Sequence, residues 1–187
     1  MKARVKQQIL VGGVGGQGVL FVTSLLAEAA IRRGLPVLTS ETHGMAQRGG
    51  TVVSHLKVGN FSSPMIRPGQ ANVLLALKRE SIARYEGFLR PGAWVVANCP
   101  APGEPVRGRQ VFALEADEAA RKTGNPKSAN LVLLGFALAQ GSRTCEGAQR
   151  LFCTLEDLKS VLQERLAKRE RILEASLAAL AAGYDAA

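Results

Sequence analysis

The sequence predicts an α/β fold: a three-layer α/β/α, Rossmann-like sandwich around a mostly parallel sheet, with residues 1–187 forming a single domain. Three observations predict it. Short β-rich runs alternate with stretches whose apolar residues recur at helical spacing. The core material is aliphatic, because 47% of the residues are hydrophobic and only 5% aromatic, the balance expected of a sheet covered by helices. A glycine-rich turn joins the first run to the first helical stretch, as in open α/β sheets that bind ligands.

Taken in order, Gln8 to Val11 is a short apolar run that ends in glycines, and Val19 to Arg33 carries apolar residues at helical spacing until Gly34 closes it. Leu35 to Thr39 reads as the next strand. A helix lies between these two strands, so they are expected to be parallel neighbours joined by a right-handed crossover. Ser40 to Gly50 is polar and contains glycine, which predicts a loop at the carboxyl end of a strand. Thr51 to Val58, Ala71 to Leu77 and Ala93 to Ala97 are further strands, with a helix over Arg79 to Leu89 that Pro91-Gly92 ends. Pro100 to Arg109 holds prolines and glycines and predicts a surface loop, followed by a short strand at Val111 to Leu114. Ser128 to Ala139 reads as a buried helix. Thr154 with Asp157 forms a capping box for a helix whose apolar side carries Leu155, Leu158, Val161, Leu162 and Leu166. A final helix spans Arg169 to Ala182 and is expected to stop at Gly183.

Twenty-four Lys and Arg against fifteen Asp and Glu give a formal net charge of +9, which is compatible with an anionic ligand or an acidic partner. Nucleic acid is not expected, because the cations are scattered and Tyr85, Trp94 and Tyr184 stand far apart in sequence. Cys99, Cys145 and Cys153 never form a Cys-x-x-Cys pair, so no metal site or iron–sulfur site is expected on this chain, and they read as buried structural thiols. No apolar stretch reaches the roughly 20 residues a membrane span requires. Lys2, Arg4 and Lys6 precede an apolar segment, but Gly12 to Gly18 interrupts it, so a cytoplasmic protein is expected rather than an exported one.

Gly13-Val-Gly15-Gly16-Gln17-Gly18 satisfies G-x-G-x-x-G after a strand and before a helix. Two readings stay open. Backbone N–H groups at a helix start can cradle a phosphate, and a tight strand-to-helix turn needs glycine whether or not anything binds. An NAD site also needs an acid near the end of the second strand, and Glu41 is the one candidate, a few residues later than the usual spacing.

The glycine segment is followed by Leu25-Leu26-Ala-Glu-Ala-Ala30, then by Ser40-Glu-Thr-His-Gly-Met-Ala-Gln-Arg-Gly-Gly50 and Ser54-His55-Leu56. These blocks resemble the gamma-type subunits of 2-oxoacid:ferredoxin oxidoreductases, the second block in the form seen in the indolepyruvate branch. Ala71 to Leu77, Arg90-Pro-Gly92, Gly124-Asn-Pro-Lys-Ser-Ala-Asn130 with its continuation to Gly135, and Leu180-Ala-Ala-Gly-Tyr184 follow in the same order. The resemblance implies a small subunit, not active alone, of a complex that turns a 2-oxoacid and coenzyme A into acyl-CoA and carbon dioxide and passes electrons to ferredoxin. It implies a larger, alpha-type catalytic subunit holding thiamine diphosphate, its divalent metal and [4Fe–4S] clusters. A homodimer is a candidate state of the isolated chain. The competing function is a stand-alone Rossmann-like nucleotide-binding module.

Within that frame Gly13, Gly15, Gly16, Gln17 and Gly18 are candidates to meet a phosphate of coenzyme A or to shape a subunit contact. Arg48, flanked by Gln47 and by Gly49 and Gly50, has the planar fork that grips a carboxylate or phosphate in a bidentate way. His43 could donate to an anion or carry a proton, and Glu41 could orient Arg48 or His43. His55 and Asn130 read as structural residues, the latter anchoring its helix.

Overall fold

The computed structural model describes residues 5–43, 50–100, 106, 109–143 and 150–187, the backbone alone at 43, 142 and 143. Six strands form one sheet: β1 (Gln7–Val14), β2 (Val37–His43), β3 (Thr51–Val58), β4 (Ala71–Ala76), β5 (Leu89–Asn98) and β6 (Gln110–Leu114), in the order β2-β3-β1-β4-β5-β6. The helices are α1 (Val19–Arg32), α2 (Glu80–Tyr85), α3 (Ala116–Lys122), α4 (Ala129–Arg143), α5 (Leu155–Arg165) and α6 (Glu170–Asp185), with short 3-10 turns at Glu86–Phe88 and Pro126–Ser128.

Residues alternate across the sheet and build two unequal apolar layers. Ile9, Val11, Val73, Leu75, Trp94 and Val96 face the larger one, which they share with α1, α4, α5 and α6. Leu10, Leu74, Ala76, Val95 and Ala97 face the smaller, covered by Ile82 and Tyr85 of α2 and by Ile66. The sandwich therefore has the expected three layers. Five of the six strands run the same way; β3 is antiparallel to both β1 and β2, while β1, β4, β5 and β6 pair in parallel.

The expected adjacency of β1 and β2 is not found. They point the same way, but β3 lies between them, with Gly12 opposite Val53 and Thr42 opposite the same Val53 from the other side. The reason is burial. From Ser54 to Val58 every residue of β3 is buried and suits an interior position, whereas Thr39, Ser40, Glu41 and Thr42 give β2 the polar character of an edge strand. The pairing also carries β2 through His43, so Ser40 to His43 is strand rather than loop. It likewise holds Gly13 in β1 opposite Val52, which leaves the turn itself to Gly15 through Gly18.

Other boundaries moved for local reasons. The helix expected to end at Leu89 stops as α-helix at Tyr85, and β5 starts at Leu89 and continues through Pro91-Gly92. Its pairing with β4 jumps from Ala71↔Leu89 to Val73↔Trp94, so Arg90 to Ala93 bulges there, with Gly92 at φ 72°. The short helix α3, not anticipated, begins where the Asn98 Oδ1 accepts the Ala116 N–H at 2.9 Å. The capping box at α5 is present as expected, with Thr154 and Asp157 each accepting from the other's backbone N–H. Gly183 does not end α6. It lies inside the helix because α4 and α6 cross there so closely that a Cβ would overlap the Val132 carbonyl, and Gly135 faces the Leu180 carbonyl in the same way.

Candidate functional site

The chain from β1 leaves on the face of α1, while the chain from β4 leaves on the opposite face through α2. The carboxyl ends of these neighbouring parallel strands thus form a topological switch point, where open α/β sheets bind ligands. A cleft of about 430 Å³ opens there, lined by Gly16 and Gln17 after β1, Leu77 after β4, Asn98 at the end of β5, and Lys127 and Asn130 before and within α4. A second lobe of about 480 Å³ adjoins it through Asn98, Asp117 and Pro126 and is edged by Glu115, Glu118 and Arg121.

The glycine turn is fixed by its neighbours. Gly16 and Gly18 have φ of 92° and 80°, a region that side-chain-bearing residues avoid. Gln17 folds back so that its Oε1 accepts the Val14 N–H at 2.9 Å and its Nε2 donates to the Leu77 carbonyl at 3.2 Å. Leu77 in turn donates its N–H to the Gly12 carbonyl at 2.8 Å. Gln17 is therefore a brace across the switch point rather than a free ligand contact.

Gly18 opens α1 with no side chain capping it, and a Cβ there would overlap the amide of Asn130. Asn130 accepts the Leu131 N–H through Oδ1 at 2.8 Å, which turns its NH2 toward the glycine turn. The cleft thus combines the positive end of a 14-residue helix, an amide donor and the Lys127 ammonium on one wall. On the other wall the Asp117 carboxylate accepts from Asn98 Nδ2 at 2.8 Å and keeps lone pairs for a hydroxyl donor.

The glycine turn and the start of β3 meet at one edge of the sheet: Gly15 donates its N–H to the Gly50 carbonyl at 2.9 Å, and Val14 pairs with Thr51. Arg48 and Gly49 lie outside the described residues, as does the side chain of His43, whose backbone ends β2. Glu41 sits on edge strand β2 opposite Ser54, two strands from β1 and so about 10 Å to the side of the cleft at ~4.8 Å per strand. An acid that holds an NAD ribose has to sit on the strand beside β1. Antiparallel β3 occupies that place on one side, and on the other β4 ends at Ala76 and is followed by the apolar Leu77.

Sequence reasoning missed Leu77, Asn98, Asp117 and Lys127 as cleft residues and gave Asn130 only an anchoring role. The signal was available in part, since Leu77 and Asn98 close parallel strands. Lys127 and Asn130 lie in a Gly124 to Gly135 block whose polar start precedes an apolar helix. Cys99 and Cys153 are buried, as expected of structural thiols, and burial, with Asp157 second, pushes the Cys153 thiol up to about 12, so it stays protonated. Cys145 lies outside the described residues. His55 is buried and its Nδ1 accepts the Ile66 N–H at 3.2 Å, a structural role. Among the described residues no three His, Cys, Asp or Glu side chains come together as a metal site, and no helix is long and apolar enough to cross a membrane.

A cleft at the switch point, lined by amide, cationic and carboxylate side chains, lies where open α/β sheets bind ligands. The chain belongs to the pyruvate ferredoxin/flavodoxin oxidoreductase family, whose family model matches residues 8–186, as a subunit of the gamma/beta type. It is 32% identical to an indolepyruvate oxidoreductase subunit IorB of Archaeoglobus fulgidus, across 98% of this chain and 96% of that one. Among solved structures it is similar to the keto/oxoacid ferredoxin oxidoreductase gamma subunit of Geobacter sulfurreducens, at TM-score 0.71 and 25% identity over 96% of both chains. It also matches part of the 2-oxoglutarate:ferredoxin oxidoreductase of Magnetococcus marinus, solved with 2-oxoglutarate, coenzyme A and succinyl-CoA bound, at TM-score 0.74 and 26% identity. There it covers 97% of this chain but 31% of the larger one.

Proposed function

We propose that this chain is the small subunit of a thiamine diphosphate-dependent 2-oxoacid:ferredoxin oxidoreductase, with indolepyruvate or another aryl pyruvate as substrate, and that its switch-point cleft receives coenzyme A. The whole of residues 1–187 serves as the gamma-type domain of a cytoplasmic complex with a larger catalytic subunit. The subunit type and the name of the 32% identical relative support the placement. The observation that carries the ligand is the convergence of the α1 start, Asn130 and Lys127 on one wall of the cleft, which suits a phosphate.

In this reading a 2-oxoacid and coenzyme A give acyl-CoA and carbon dioxide, and two electrons leave for ferredoxin. Thiamine diphosphate with its divalent metal supplies the decarboxylating chemistry and the [4Fe–4S] clusters the electron path, all on the larger subunit. The residues of this chain bind and orient. The α1 N–H groups and Asn130 hold a phosphate of the coenzyme, Lys127 neutralises it, and Asp117 accepts from a hydroxyl. Arg48, whose planar guanidinium suits a carboxylate or phosphate, grips an anionic group of coenzyme A or the 2-oxoacid, with His43, Glu41, Gly49 and Gly50 as further candidates for contact with the ligand or the partner.

Calorimetric titration of the chain, alone and assembled with its large subunit, tests the ligand. Coenzyme A is expected to bind the assembly, to bind Asn130→Leu about tenfold more weakly, and to be replaced by neither NAD(H) nor ATP. Micromolar binding of NAD(H) by the chain alone would instead identify a stand-alone nucleotide module.

A further inference from the structure

At the edge of the sheet opposite the cleft, two lysines lie over one aromatic ring with an arginine nearby. Lys57, near the end of β3, and Lys6, just before β1, place their ammonium groups 5.1 and 5.0 Å from the centroid of the Phe61 ring. Arg67 lies close enough to act on Lys57 electrostatically. Phe61 and Arg67 belong to the connection between β3 and β4, which His55 pins to the sheet through the Ile66 N–H. The arrangement is built by the fold.

None of the ion pairs or hydrogen bonds among the described residues gives Lys6, Lys57 or Arg67 a carboxylate. Burial first, then Arg67 and Lys6, hold the Lys57 ammonium below the usual lysine range. Holding a lysine beside two other cations costs stability, and a neighbouring ring offsets only part of it. An anion bound at the patch would remove the remainder.

We propose that this patch is the docking site for an acidic segment of a partner protein. The cations converge on a ring at the surface and line neither lobe of the cleft, so they offer carboxylates a row of contacts rather than one ion a cage. Met65, 44% exposed on the same connection, adds the apolar contact a peptide uses and a free ion does not. The two cations take up the Phe61 ring, which argues against base stacking and hence against single-stranded nucleic acid. Lys57 pairs with Gln8, six residues before Val14, so the patch lies about 20 Å along β1 from the glycine turn at ~3.3 Å per residue, and a docked segment leaves the cleft open. The inference stands independently of the ligand proposed for the cleft.

The test is fluorescence anisotropy of the full chain with a labelled poly-glutamate peptide at low and at physiological ionic strength. Lys6→Gln with Arg67→Gln, both exposed positions, should weaken binding by roughly tenfold and flatten its salt dependence. Lys168→Gln with Arg171→Gln, the same change of net charge just before and at the start of α6, should change it less than about twofold. Lys57→Met, which keeps the apolar stem, should weaken binding and raise the melting temperature; if it does not fold, the Lys6 and Arg67 pair carries the test. Equal losses in both double variants, no binding by the native chain, or displacement of the peptide by phosphate beyond that by chloride at equal ionic strength would each overturn the proposal.

Discussion

Gln17 and Leu77 are joined across the switch point: the Gln17 Nε2 donates to the Leu77 carbonyl at 3.2 Å while its Oε1 holds the Val14 N–H at 2.9 Å. One side chain thus fixes the glycine turn to the end of the neighbouring strand. Gln17→Ala leaves the Val14 N–H half-buried without its side-chain acceptor, while the Leu77 carbonyl keeps the Asn98 Nδ2 donor at 3.4 Å, at a cost of about 1–3 kcal/mol. The urea midpoint should fall, and hydrogen exchange at Val14 should speed up. Unchanged exchange there would show that the turn holds its shape without the brace.

Gly183 and Gly135 set how closely α4 and α6 pack. Alanine is intrinsically better in a helix by about 1 kcal/mol, but overpacking costs about 1–3 kcal/mol or more, and here the clash is with backbone that cannot rotate away. Gly183→Ala is therefore expected to lower the melting temperature. Gly87→Ala, where a Cβ meets nothing within 4 Å, is the control and should be near neutral.

His55 gives stability a pH dependence of known sign. Burial first and Lys57 second lower its pKa below the ordinary 6.5. In acid the unfolded chain therefore binds a proton that the native chain resists, so the contribution is complete above about pH 6.5 and is lost as pH falls through that value toward the folded pKa. Protonation would also remove the acceptor that holds the Ile66 N–H. Denaturation at pH 7.5 and 5.5 should show a loss in the native chain that His55→Asn, which keeps an acceptor but cannot titrate, largely abolishes. An equal loss in His55→Asn would assign the effect to other groups.

Arg48 tests the chemistry of the loop after β2. If its guanidinium grips an anion in the assembled enzyme, Arg48→Ala should lower activity by about one to two orders of magnitude at subsaturating ligand, and Arg48→Lys should recover only part. Size-exclusion chromatography must show the variant complex intact. An intact complex with unchanged kinetics for coenzyme A and for the 2-oxoacid would remove Arg48 from the site.

The helices read most easily from sequence. α1 with its Gly34 stop, and α5 with its Thr154–Asp157 box, are set by local spacing and capping that neighbours need not supply. Strand order was not legible, because it depends on which strand is buried on both sides: β3 displaced β2 to the edge through its continuous burial, which appears only once strands pair. Gly183 misled for a related reason, since its role is the close crossing with Val132, 51 positions away in sequence. The glycine turn was visible in the candidate site, but its partners Leu77, Asn98, Asp117 and Asn130 come from four later segments that meet only at the carboxyl edge of the sheet. Their contribution rests on tertiary placement, which no local spacing encodes.

The central claim is that this chain orients a ligand for chemistry carried on another subunit. It is tested most directly by following viologen reduction with indolepyruvate and coenzyme A, first with the purified chain and then after adding the large subunit. No reduction is expected from the chain alone, and coenzyme A-dependent turnover is expected once the two are assembled. Turnover by the chain alone, or an assembled enzyme whose rate is indifferent to coenzyme A, would contradict it.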